Sequence, residues 1–319
     1  MIIKLVLSMK ILNKSKHLVF VTVMMLSVLA ARAQQEPMYT QYIFNMQTVN
    51  PAYAGTWQTI GFLALTRHQW VGIEGNPSTQ TFSMQTPFRS ENVGVGLNIV
   101  HDRIGLEKRL MFNADYSYRL SVSRKSSLRL GIKAGFTNYS NPLGLYTTYP
   151  GDVSDPNFQG EVNNRFMPNV GVGAFLSSDR YYVGISAPKL VETTFKNTEN
   201  DFTTLQEMRQ YFLIGGVVFD MSRHVKFKPT VFTRAVQGAP IQYDISANFL
   251  FNEKFWLGAM YRSGDAVGVV AQWIYNDRFR ISYATDFTIT DLNNYQSGTH
   301  EIMVSYEIDW KRYVSPRYF

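Results

Sequence analysis

Apolar and polar residues change places at every second position along most of this chain, the pattern of strands whose two faces meet different surroundings. Leu110, Phe112, Ala114, Tyr116, Tyr118, Leu120 and Val122 alternate with Met111, Asn113, Asp115, Ser117, Arg119, Ser121 and Ser123. Leu128, Leu130, Ile132, Ala134 and Phe136 alternate with Arg129, Gly131, Lys133, Gly135 and Thr137. The same rhythm sets Tyr243, Ile245 and Ala247 against Asp244, Ser246 and Asn248, and Ile302, Val304 and Tyr306 against Glu301, Ser305 and Glu307. Fourteen such segments are predicted, near 57–70, 78–87, 92–101, 109–123, 127–139, 165–177, 180–188, 208–219, 224–235, 240–251, 255–263, 265–275, 278–287 and 300–310. The first, second and eighth carry the weakest alternation, and helical patterning is almost absent.

Many segments reach about ten residues, longer than the roughly five or six of a globular strand and matched to a tilted bilayer crossing. The less apolar face repeatedly carries Asp, Arg, Lys and Glu. A soluble sandwich would have to bury those charges in its core. With the apolar face toward lipid, they line a lumen instead. The connections follow a parity. Those after even-numbered segments, such as 124–126, 178–179, 220–223 and 252–254, are short and polar. The long ones, 140–164, 189–207 and 288–299, all follow odd-numbered segments. The expected fold is all-β: a transmembrane antiparallel outer-membrane β-barrel of about 14 strands over 57–319, with both termini periplasmic.

The first 33 residues read differently. Lys10, Lys14 and Lys16 precede an apolar run from Leu18 to Ala31, and Ala31-Arg32-Ala33 is a small-x-small cleavage site. This predicts a signal peptide over 1–33 and a mature start at Gln34. The apolar run falls short of the roughly 20 residues a spanning helix needs. The leader holds five basic and no acidic side chains, so the remainder carries 26 basic against 24 acidic. That balance gives no electrostatic case for nucleic acid as a partner. The absence of cysteine excludes disulfides and thiolate metal sites.

Candidate chemistry is sparse. His68, His101, His224 and His300 are dispersed without metal-ligand spacing, and strand parity puts His300 on the polar face. There is no nucleophile elbow, phosphate loop or dinucleotide fingerprint. Asp152, Asp155 and Glu161 leave calcium open in the 140–164 loop, without an EF-hand pattern. No catalytic, cofactor-binding or metal residue is assigned, and no enzyme activity is expected.

The lumen face says more. Gly94, Gly96, Gly131, Gly135, Gly171 and Gly173 fall on it, as do Gly184, Gly258 and Gly268. Glycine inside a strand marks a bend or a close backbone approach. Either the barrel curves there, or the wall is kept roomy for another polypeptide segment. On the second reading the first six glycines form a candidate partner-binding wall. The inward charges Asp115, Arg119, Arg129, Lys133, Asp244, Arg262, Arg280, Asp286, Glu301 and Glu307 are of both signs and are expected to pair.

Residues 34–56 precede the first strand and show no clean period. Pro51 pushes Asn50 to extended geometry, and Gly55 permits a tight turn. The aromatics among Gln and Asn predict an ordered, plug-like segment at the mouth of the barrel or inside it. The run Gln-Gln-Glu-Pro-Met-Tyr-Thr-Gln-Tyr, followed by Phe-Asn and Asn-Pro-Ala-Tyr-Ala-Gly, resembles the start of the PorP/SprF family of type IX secretion system membrane proteins. Pro37, Tyr39, Gln41, Tyr42, Asn45, Asn50, Pro51, Ala52, Ala54 and Gly55 carry the match.

The resemblance extends along essentially the whole mature chain. It implies an outer-membrane component of the type IX secretion and gliding machinery. Its implied partners are a secreted cargo protein with a type IX C-terminal domain, such as a surface adhesin, or a periplasmic ring or translocon component. Export or cell-surface attachment would be its role, with outer-membrane lipid around it and no cofactor. The alternative from another class is an outer-membrane solute channel.

Overall fold

The computed structural model describes residues 37–88, 90–145, 162–196, 203–276 and 278–308. The expected signal peptide and the acidic residues Asp152, Asp155 and Glu161 lie outside the described residues.

The alternating segments fold as β1 (Ile60–His68), β2 (Ser78–Phe88), β3 (Ser90–Ile104), β4 (Glu107–Ser121), β5 (Ser126–Asn141), β6 (Val162–Ser178) and β7 (Tyr181–Lys189). After these come β8 (Thr193–Lys196), β9 (Thr203–Glu207), β10 (Gln210–Val217), β11 (Phe219–Asp220) and β12 (Val225–Val236). The last are β13 (Gln242–Phe251), β14 (Phe255–Arg262), β15 (Ala266–Asn276), β16 (Phe279–Thr288) and β17 (Thr299–Ile308). β8 and β9 form a separate hairpin, and β10 and β11 share one place in the wall because both pair with β12. The result is a closed antiparallel barrel of fourteen strands. β1 pairs with β17 from Ile60↔Ile308 to His68↔His300, and β10 closes the ring between β7 and β12.

Polarity is inverted relative to a soluble domain. On β5, Ile132 is 59% exposed on the outer face, whereas Arg129 and Lys133 are 3% and 5% exposed inside. On β13, Tyr243 and Ile245 face out while Asp244, Ser246 and Asn248 are buried. Outward aromatics stack across strands near both rims. Phe112, Phe136 and Phe166 form one ladder, with centroids 5.6 and 4.6 Å apart. Phe227 and Phe249 stack at 4.9 Å toward the other end. An apolar band edged by aromatics is what a lipid bilayer selects on a barrel.

The two ends differ. One carries the short turns 122–125, 179–180, 221–224 and 252–254. The other carries 69–77, 289–298, the connection after β5 and the β8–β9 hairpin, together with the tight turn Gly105-Leu106. We call these the short-turn end and the long-loop end.

The lumen is occupied by the chain's own N-terminal segment. Three single turns of 3₁₀ helix, Tyr42–Phe44, Met46–Thr48 and Pro51–Tyr53, carry it along the barrel. Asn50 is extended, at φ −134° and ψ 111°, and its side-chain oxygen accepts from the Ala52 amide to start the third turn. Gly55, at φ +74°, turns the chain toward β1. Thr40 lies beside Arg67 and Glu301, near the long-loop end, and Thr59 beside Glu307, near the short-turn end. The segment therefore spans the lumen. The first described residue, Pro37, stands toward the long-loop end, beside Lys189 and Gln210.

Candidate functional site

The filled lumen is the site that the fold constructs. At its long-loop end, β1, β13, β14, β16 and β17 turn Arg67, Asp244, Arg262, Asp286 and Glu301 inward, all nearly inaccessible to solvent. Arg67 pairs with Glu301 and, at 3.3 Å, with Asp286. Arg262 pairs with Asp244 at 3.0 Å and with Asp286 at 3.7 Å. Three buried carboxylates thus face two buried guanidinium groups. The plug supplies the remaining donors. The amides of Thr40 and Gln41 donate to Glu301 at 2.7 and 3.1 Å, and the Thr40 hydroxyl donates to Asp286 at 2.5 Å. Arg262 in turn donates to the Tyr39 carbonyl at 3.2 Å. Buried charges hold only when paired and hydrogen-bonded, so the plug completes this cluster.

The middle of the lumen is apolar and aromatic. Tyr42 stacks on Phe232 with centroids 4.4 Å apart, and Tyr53 meets Phe175 edge-on at 5.5 Å. These rings join Ile43, Met46, Trp57, Leu63, Leu65 and Phe212 in one buried cluster. Lys228 lies over the Trp256 ring at 5.0 Å, with the Phe44 and Tyr182 rings also within reach.

Polar side chains set the plug's register. Tyr39 shares a hydrogen bond with Thr81 at 2.7 Å, Asn45 donates to Ser83 at 3.0 Å, and the Ser282 hydroxyl donates to Gln41. The Gln47 amide bridges the Met84 and Leu97 carbonyls and the Asp115 carboxylate at 3.1 to 3.3 Å. Asn50 donates to the Ala174 carbonyl at 3.1 Å. Toward the short-turn end the plug presents carbonyls instead. Ser117 donates to the Ala54 oxygen at 2.6 Å, and Arg129 donates to the Gly55 oxygen at 3.1 Å.

The glycines on the lumen face explain the close fit. A methyl group at Gly131 would stand 2.5 Å from the Ala52 Cα, and one at Gly94 would meet the Ala54 carbonyl. Gly96 faces Gln47, and Gly173 faces Asn50 and Pro51. So four of the six glycines in the candidate partner-binding wall lie against the chain's own plug. The other two face barrel neighbours: Gly135 meets Asn113 and Phe112, and Gly171 meets Pro188.

All ten motif residues from Pro37 to Gly55 lie in the lumen. Pro37 lines a recess of about 70 Å³ near the long-loop end. Tyr39, Gln41, Tyr42, Asn45, Asn50, Pro51, Ala52, Ala54 and Gly55 are buried. Of the inward charges, Lys133 pairs with Asp115 at 3.3 Å and Arg280 with Glu307 at 2.5 Å. Arg119 and Arg129 make no such pair among the described residues. Sequence reasoning missed Arg67, Lys228 and Thr40. The parity of β1 would have found Arg67, two positions beyond Leu65 on the inner face.

His300 departs from its expected place. It points outward, stacks on Tyr283 at 6.1 Å and hydrogen-bonds its hydroxyl at 2.7 Å. Among the described residues no group of three His, Asp or Glu side chains is gathered to hold a metal.

Residues 31–306 match the family model described as type IX secretion system membrane protein PorP/SprF. No curated protein matches the chain in sequence. Among solved structures, the chain is similar to the CymD monoaromatic hydrocarbon channel, at 11% identity and a TM-score of 0.52, over 88% of this chain and 95% of that one. It is also similar to the Ralstonia pickettii toluene transporter TbuX, at 12% identity and a TM-score of 0.49, over 82% and 92%. At such identities the likeness to CymD is one of fold, that of an outer-membrane barrel.

Proposed function

Because the chain belongs to the PorP/SprF family of type IX secretion system membrane proteins, we propose that it is a non-enzymatic barrel that holds a protein partner at the outer membrane. The partner is a secreted cargo with a type IX C-terminal domain, or a component of the periplasmic ring or translocon. Its role is export or surface attachment of that cargo, in the manner of an adhesin anchor for gliding. On this reading the leader directs the chain out of the cytoplasm, and the long-loop end faces outward.

The observation that carries the reading is the plug. A conducting barrel needs a path through its lumen, and here residues 40–59 fill it with buried ion pairs, stacked rings and glycine-fitted backbone. A barrel closed in this way offers its rims for contact. The long connections supply surface there, as loops on a rigid scaffold commonly do.

The test is affinity purification of the tagged protein from its native outer membrane in mild detergent, with mass spectrometry of what copurifies. A stoichiometric secreted protein or type IX ring component is the expected result. A barrel recovered alone that also conducts in planar bilayers would favour the second reading, a solute channel. The fold shared with a hydrocarbon channel and the recess of about 70 Å³ beside Met38 and Phe212 are what that second reading rests on.

A further inference from the structure

A second recess, of about 190 Å³, opens at the short-turn end beside the plug residues Thr56 and Gln58. Arg119, Arg124, Lys125 and Arg129 line it, and Asp179 is the sole acidic side chain in its wall. Arg119 and Arg129 are direct partners in the β4–β5 register, both turned inward. Like charges facing each other across a ladder repel.

Other cations on the inner wall and at its rim meet a carboxylate. Lys133 has Asp115, Arg280 has Glu307, and Arg180 at the rim has Asp220. The arginine pair has no equivalent. Arg129 donates to the Ser117 hydroxyl and to the Gly55 and Glu91 carbonyls at 3.1 to 3.3 Å, all neutral. The Arg119 Nε is buried without a hydrogen-bond partner. Ser127 and Ser177, direct partners in the β5–β6 register, stand in the same wall.

We propose that this recess binds one phosphate group, with Arg119 as principal ligand, Arg129 beside it, and Arg124 and Lys125 drawing the anion toward the mouth. Guanidinium groups match a phosphate with paired donors, and two of them against one dianion convert a repulsive pair into a neutral cluster. A free phosphate ion and the headgroup of an acidic lipid present the same chemistry here.

The test uses the full mature protein in a neutral detergent. Its thermal unfolding is followed against inorganic phosphate at constant ionic strength set with sodium chloride, and separately against phosphatidic acid added to the micelles. A ligand that binds only the folded state raises the midpoint saturably. The expected result is a saturable rise with either phosphate source, and at least a tenfold weaker response in Arg119→Gln. The source that acts at lower concentration identifies which form the site takes. Arg119→Gln relieves the repulsion, so its unliganded midpoint stays equal or rises, which separates lost binding from lost folding. Arg180→Gln, at a rim position already paired, keeps the full response. No saturable rise beyond sodium chloride, or an undiminished rise in Arg119→Gln, overturns the proposal.

Discussion

The Thr40 amide donates to the Glu301 carboxylate at 2.7 Å across 261 positions of sequence, fastening the head of the plug to the last strand. The same carboxylate accepts from Gln41 and pairs with Arg67. Glu301→Gln leaves Arg67 short of its nearest charge and weakens two amide bonds at once. Removing one partner of a buried pair costs about 3–5 kcal/mol. The variant should unfold at clearly lower urea concentration, scored by loss of the heat-resistant folded band on a gel. Thr40→Val, which keeps the amide and loses only the hydroxyl, should cost about 1–3 kcal/mol in the same assay.

Gly131→Val tests the fit of the plug against the wall. The added side chain meets the Ala52 backbone, which has no rotamer to yield. Residues 50–54 should be displaced while the β4–β5–β6 ladder stays paired. Liposomes carrying the variant should pass small sugars faster than those carrying the native chain. Gly171→Ala meets the Pro188 carbonyl instead and should leave permeability at the native level.

Deletion of residues 37–55 should open the lumen outright. Stepwise conductance in planar bilayers is expected from the shortened chain and not from the intact one. Equal conductance from both would mean that the plug does not seal the barrel.

Tyr42→Ala removes a buried ring that stacks on Phe232 at 4.4 Å. The cost expected for truncating a large buried side chain is about 3–5 kcal/mol. It should appear as a lower unfolding midpoint together with increased protease cleavage between residues 40 and 60.

The sequence made the wall of the barrel easy to read and the interior hard. Strands such as β4, β5 and β13 alternate sharply, because lipid meets one face and lumen charges the other. β1 and β10 alternate weakly for a structural reason. Their inner positions, Leu63, Leu65, Phe212 and Ile214, are apolar because they pack on the plug rather than on water or ions. β2 is weak for the opposite reason, since Thr79, Thr81, Ser83 and Gln85 turn inward while Gln80 faces out. The placement of the plug was half legible. Pro51 and Gly55 announced local geometry, but no local pattern encodes a bond between Thr40 and Glu301. The glycines signalled a close approach without naming what approaches, and the occupant proved to be the chain itself. His300 shares the outer parity of Ile302 and Val304, opposite to its buried neighbours Thr299 and Glu301, so its polar side chain is no guide to its face.

The plug also ties the two edges of the sheet to the rest of the wall. It touches β17 through Glu301, β2 through Ser83, β4 through Ser117, β6 through Ala174 and β12 through Phe232, which lie around the whole circumference. It is also continuous with β1, which zips to β17 to close the ring. The segment thus braces the closed ring from within, and its own end leads into the strand at the seam. Without Thr40 and Gln41 the inward carboxylates at the long-loop end would lack part of their donors, so the filled lumen and the closed wall support each other.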